Sequence, residues 1–162
     1  MKYRSVFLGL SLLLYGIALA LPCLLFKIVR TDTLGVNNLR DYGIYEPKGI
    51  ELTIAGILGL LFLQIPAVGW LANPAYWLSC IFFARQQYKF SAITALTSVA
   101  IGYGGTLSAF WFKLPNGDNS FSAFALEKLL AGFWIWLAAP GFLALISVFH
   151  LVKMTRNPEK LT

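Results

Sequence analysis

The sequence predicts an all-α integral membrane protein, a four-helix bundle whose second transmembrane helix is broken near Asn73-Pro74. Three observations carry this. Four stretches, about 5–26, 52–84, 91–112 and 129–152, are apolar and hold no Asp, Glu, Lys or Arg in their interiors. Hydrophobic residues are 58% of the chain and charged ones 12%, where a soluble domain carries about 25% charged residues. Folded in water, the chain would leave too much apolar surface wet. Finally, at about 20 residues per crossing, four spans and their loops use up the 162 residues. The chain therefore reads as one transmembrane domain, 1–162.

The first apolar stretch, 5–26, follows Lys2-Tyr3-Arg4 and ends in a region containing Ala18-Leu19-Ala20. It resembles a signal peptide only superficially, because its apolar run is longer than the usual signal core; we read it as an uncleaved first span. The loop 27–51 mixes both signs of charge. Thr31-Asp32-Thr33 and Asn37-Asn38 mark turns, and Tyr42-Gly43-Ile44-Tyr45 fits a short strand or interfacial turn.

The second stretch, 52–84, is the odd one. As one helix its 33 residues would extend about 50 Å at 1.5 Å per residue, well beyond the hydrocarbon core of about 30 Å. Pro66 and Asn73-Pro74 lie inside it, and proline disfavours helix at the preceding residue. We expect two helical pieces, about 52–71 and 75–87. Asn73 would cap the break, and the second piece would be re-entrant or steeply tilted. A broken membrane helix exposes backbone groups that need partners, and transporters use such breaks to hold substrates. Gln64, Trp70, Asn73 and Trp77 are the candidate contacts there.

After the polar turn 85–89 comes the third span, 91–112. It carries small residues at four-residue spacing, Thr94, Ser98, Gly102 and Thr106. In a helix that spacing forms one stripe, which lets a second helix approach closely. Packing within the bundle is the ordinary use of such a stripe. Contact with another chain is the sharper one, with Ser98, Gly102 and Thr106 as candidate contacts. The loop 113–128 holds a turn at Pro115–Ser120, and Phe121 and Phe124 are expected on the membrane surface. The fourth span, 129–152, contains Pro140-Gly141 and should kink. A polar tail follows it.

Orientation follows the excess of Lys and Arg on the cytoplasmic side. With both termini inside, seven basic residues face the cytoplasm and six face outward. The outer loops would be 27–51 and 113–128.

The formal charge of +6 is scattered singly, with no basic run for nucleic acid. Ionisable residues inside spans mark proton and ion pathways, and none is present. Cys23 and Cys80 should lie at opposite ends of the membrane, too far apart for a disulfide. One histidine, His150, cannot by itself form a zinc site. Glu46 and its acidic neighbours show no spacing that fixes a catalytic pair. No phosphate loop or catalytic motif occurs. No catalytic residue, metal or cofactor is therefore expected.

Known families of small membrane proteins are set aside on their own motifs. Quinone-linked thiol oxidoreductases need Cys-x-x-Cys, small multidrug transporters a buried Glu in span one, and claudins and tetraspanins an outer-loop cysteine signature. In size and four-span plan the chain is similar to membrane immunity proteins that protect bacteria from pore-forming toxins, with no shared motif. The leading expectation is a non-enzymatic protein of a bacterial-type cytoplasmic membrane. It would act on another membrane protein as an accessory subunit or immunity-type inhibitor. The alternative is a transport or lipid-handling component with a ligand site at the broken second span.

Overall fold

The computed structural model describes residues 2–30, 43–116 and 122–156. The turns expected at Thr31–Thr33, Asn37-Asn38 and Gly117–Ser120, the seat of Phe121, and the tail beyond 156 lie outside them.

The first helix, α1 (Lys2–Ala20), stops six residues before the expected end of its span. Pro22 disfavours helix at Leu21 and has no N–H to continue the ladder. Leu24–Arg30 then forms β1, so apolar residues assigned to the first span belong to a sheet. The partners of β1 are β2 (Ile44–Tyr45) and β4 (Ser122–Leu129), and β4 pairs in turn with β3 (Leu114–Pro115). The order is β2-β1-β4-β3, antiparallel throughout. The all-α expectation is thus corrected, because the two segments read as outer loops pair with each other. Across β1 and β4, Phe26 lies opposite Leu126 and Ile28 opposite Phe124, with a bulge between Leu25 and Phe26. Side chains alternate across a strand, so Leu24, Phe26 and Ile28 share one face. Phe124, expected on the membrane surface, is half-buried on this sheet. Its ring lies 5.9 Å from Phe26 and 5.2 Å from Tyr45.

The long second stretch breaks ten residues earlier than expected. Helix α2 (Gly49–Leu61) ends in a tight turn where Leu63 has φ 53°. The Gln64 and Leu63 N–H groups reach back to Gly59 and Leu60 carbonyls, at 2.9 and 3.0 Å. That pair closes a helix terminus around one left-handed residue. A 3₁₀ helix, Ile65–Leu71, follows with Pro66 in its first turn and leads directly into α3 (Ala72–Ala84). Asn73-Pro74 falls in the first turn of α3, where a proline without N–H is tolerated. Asn73 makes no capping hydrogen bond there. The re-entrant or tilted piece expected at 75–87 is not the one that departs. Ile65–Ala84 is a 20-residue helical segment, and the detached piece is α2.

Gln86, at φ 63°, closes α3 with the same turn as Leu63. Helices α4 (Tyr88–Ser108) and α5 (Ala131–Arg156) follow, and α5 runs through Pro140 as one helix. Among the described residues, three segments are long and apolar enough to cross a membrane, Ile65–Ala84, Tyr88–Ser108 and Ala131–Thr155. The apolar parts of α1 and α2 are shorter. Helix α4 packs along α3 and the 3₁₀ helix on one side and along α5 on the other, while α1 lies along α5.

Hydroxyls take the place of charges between these helices. Ser98 donates to the Ala72 carbonyl at 2.7 Å, Ser91 to the Ser79 carbonyl at 3.0 Å, and Ser11 to the Ala139 carbonyl at 2.9 Å. The small-residue stripe of α4 serves the same contacts. A Cβ on Gly102 would meet Trp136 and Ala72, and one on Gly105 would meet the Gly69 backbone. Two apolar clusters complete the packing. One centres on Tyr76, Phe83 and Leu143, and the other joins the sheet to α5 through Phe26, Leu126 and Phe133.

Candidate functional site

Helix α2 and the 3₁₀ helix form a hairpin fixed by one indole. The Trp70 Nε1–H donates to the Thr53 carbonyl at 2.7 Å, and the Trp70 side chain lies against Gly56. At the far end Gly59 lies against Ala67. Between this hairpin, the sheet and α4 and α5 is a cavity of about 1030 Å³. Ligand pockets commonly span about 300–1,000 Å³, so this one stands at the upper end of that range.

The apolar face of the sheet supplies Leu24, Phe26, Ile28 and Phe124 to the cavity wall, and α2 supplies Leu52 and Ala55. Glu51 is the only charged residue among the described lining. Its carboxylate accepts from the Tyr45 hydroxyl at 3.4 Å and the Lys48 N–H at 3.3 Å. Cys23 also lines the wall; burial pushes its thiol up to about 11, which keeps it protonated and unreactive.

Asn73 is the most constrained polar group of the cavity. It is 6% exposed and lines the wall. Its Oδ1 accepts from the Tyr15 hydroxyl at 3.1 Å and from Trp136 Nε1–H at 3.0 Å. An indole nitrogen only donates, so the amide orientation is fixed with Nδ2 away from Trp136. That Nδ2 has no hydrogen-bond acceptor among the described residues. The side chains of Thr106 and Gln64, also on the wall, have no protein hydrogen-bond partner among the described residues either.

Four of the seven residues singled out from the sequence, Gln64, Trp70, Asn73 and Thr106, therefore line one cavity. Ser98 and Gly102 do not; both are buried in the contact between α4 and α3. Trp77 is exposed, edge-on to Tyr15 at 5.4 Å. Sequence reasoning missed Tyr15 and Trp136. Neither carried a signal of its own, since Trp136 lies in the second turn of α5, where a tryptophan near a helix end is ordinary. It also missed α2 as a separate wall.

His150 stacks on Tyr88 at 4.7 Å, edge-on to Phe83, with Nδ1 hydrogen-bonded to the Ile146 carbonyl at 2.8 Å. Among the described residues no three His, Cys, Asp or Glu side chains cluster as metal ligands would. The chain matches no family model, and comparison with curated proteins and with solved structures gives no significant similarity.

Proposed function

We propose that this chain is a non-enzymatic, multi-pass membrane protein that holds a lipid-like molecule in the cavity between α2, the sheet and α4–α5. In this reading α1, about 28 Å long at 1.5 Å per residue, is a fourth crossing beside the three long segments. Both termini face the cytoplasm of a bacterial-type cell and the sheet lies at the outer surface. Helix α2, about 20 Å long by the same rise, is too short to cross. It lies in the outer leaflet, where lipid covers exposed Ile54, Leu58 and Leu61.

The observation that carries the reading is a large, mainly apolar cavity whose wall holds buried Asn73 and partly exposed Gln64 and Thr106, with hydrogen-bonding capacity the described residues do not use. Such a combination is the usual form of a small-molecule site. The test is native mass spectrometry of the protein released from polymer-bounded membrane discs. A retained lipid that is lost in Ala55→Trp, which fills the α2 wall, supports the proposal. A lipid-free chain, or identical retention in Ala55→Trp, contradicts it.

The accessory-subunit or immunity-type reading keeps one supporting observation. The hairpin tip Leu61-Phe62-Leu63 is apolar and Leu63 is 90% exposed, which suits contact with another membrane protein. The α4 stripe no longer favours that reading, because its small residues pack within the chain. A photo-reactive residue at Phe62 tests it: a defined protein adduct supports it, and adducts with lipid alone remove it.

A further inference from the structure

The ligand class follows from which lining groups lack partners and what charge they carry. We infer that the cavity selects an uncharged lipid that presents a carbonyl oxygen to the Asn73 amide; this rests on the lipid-binding reading above. The Asn73 Nδ2 offers two N–H groups from a side chain 6% exposed, with its amide oxygen already occupied by Tyr15 and Trp136. Accepting two hydrogen bonds polarises an amide and makes its N–H groups better donors. The group is therefore a fixed, strengthened donor in apolar surroundings. Its complement is an acceptor with exposed lone pairs, as a carbonyl has.

Charge narrows the class further. An anion taken into a cavity needs a cation or several donors to offset its lost hydration. The described lining contains no Lys, Arg or His, and its one charged side chain is the Glu51 carboxylate. An anionic headgroup would find no compensating charge in the described lining. A cationic one would find Glu51 exposed to solvent and already accepting from Tyr45 and Lys48. A bare hydrocarbon would fill the volume and leave the Asn73 donors and Thr106 unpaired, and unpaired buried polar groups oppose binding. A neutral lipid with a carbonyl satisfies all three conditions. Two sources share that chemistry: the ester of an acylglycerol and the ring carbonyl of an isoprenoid quinone.

The experiment uses the full chain in nanodiscs, offered dioleoylglycerol, decylubiquinone, dioleoylphosphatidylglycerol or squalane, and reads bound lipid by native mass spectrometry. Dioleoylglycerol or decylubiquinone should be retained in preference to the anionic lipid and the hydrocarbon, and whichever of the two binds more tightly identifies the source. Losing one neutral hydrogen bond should weaken retention about three- to tenfold in Asn73→Asp, which keeps an acceptor for Tyr15 and Trp136 but loses the N–H donors. Thr106→Val, nearly isosteric, should weaken it to a smaller degree and carries the test if Asn73→Asp does not fold. Squalane binding should be unchanged in both. Equal retention of squalane and the carbonyl lipids, or no effect of either substitution, overturns the carbonyl assignment while leaving the cavity as a lipid site. Absence of every probe, or retention unaffected by Ala55→Trp, overturns the lipid-binding reading itself.

Discussion

Asn73 joins α3 to two other helices through one oxygen atom, so Asn73→Leu should destabilise the fold by an amount the geometry sets. The substitution removes the acceptor for the Tyr15 hydroxyl at 3.1 Å and for the Trp136 indole at 3.0 Å. Hydrogen bonds between membrane helices average about 0.6 kcal/mol and reach about 1.7, so two of them contribute about 1–3 kcal/mol. The two stranded donors are not equivalent. Trp136 lines the cavity and can find another partner there, whereas Tyr15 is 5% exposed and does not line it. A buried donor left without a partner costs about 1–3 kcal/mol, so Tyr15 should dominate and the total should be about 2–3 kcal/mol. The assay is reversible unfolding in mixed SDS and detergent micelles, followed by tryptophan fluorescence. A double-mutant cycle isolates the pair. Tyr15→Phe keeps the ring stacked 5.0 Å from Tyr76 and should cost about 1 kcal/mol in the native background. In the Asn73→Leu background it should cost nothing or stabilise. An Asn73→Leu protein as stable as the parent, or the same cost for Tyr15→Phe in both backgrounds, would refute the reasoning.

Adjacent glycines of α4 should respond in opposite directions. Gly105→Ala drives a methyl into the Gly69 backbone and should cost about 2–3 kcal/mol, the upper part of the overpacking range. Gly104→Ala meets nothing within 4 Å and should stabilise by up to about 1 kcal/mol; comparing their unfolding midpoints in detergent checks both. Gln86→Gly removes a side chain from a left-handed position and should stabilise by about 1 kcal/mol, read by the same unfolding curve. Both cysteines are buried and free, so a water-soluble maleimide should label neither until the protein is denatured. Because burial raises the Cys23 thiol from 9.0 to about 11, its protonated form contributes stability below pH 9.0 that is lost as pH rises towards about 11. Cys23→Ser should therefore flatten that part of a stability–pH curve.

The helical part of the fold was legible because a chain this apolar has few alternatives and helices satisfy their own backbone. The sheet was hidden for a physical reason. Leu24–Arg30 reads Leu-Leu-Phe-Lys-Ile-Val-Arg, and a short apolar run after a span cannot be told from the end of a helix by periodicity. Pro22, one residue upstream of Cys23, was the available clue. The break in the second stretch was misplaced because Asn73-Pro74 is the stronger local punctuation. Proline is harmless in a first turn, whereas the true break sits on Leu63, a residue that favours helix and carries no mark of the left-handed turn it adopts. For the site, Gln64, Asn73 and Thr106 stood out as polar residues in apolar stretches. What they surround was not readable, because the cavity forms where the hairpin stands away from a sheet the sequence did not reveal.

The central claim is that a lipid occupies the space behind α2, and photo-cross-linking tests it most directly. Membranes containing the full chain would be loaded with a neutral acylglycerol carrying a diazirine in its acyl chain, irradiated, and the adducts mapped by peptide mass spectrometry. The account predicts saturable adducts on the cavity wall, at Leu52, Ala55, Ala67 or Thr106, that disappear in Ala55→Trp. Adducts confined to exposed outward residues such as Ile93 and Leu96, unchanged by Ala55→Trp, would contradict it.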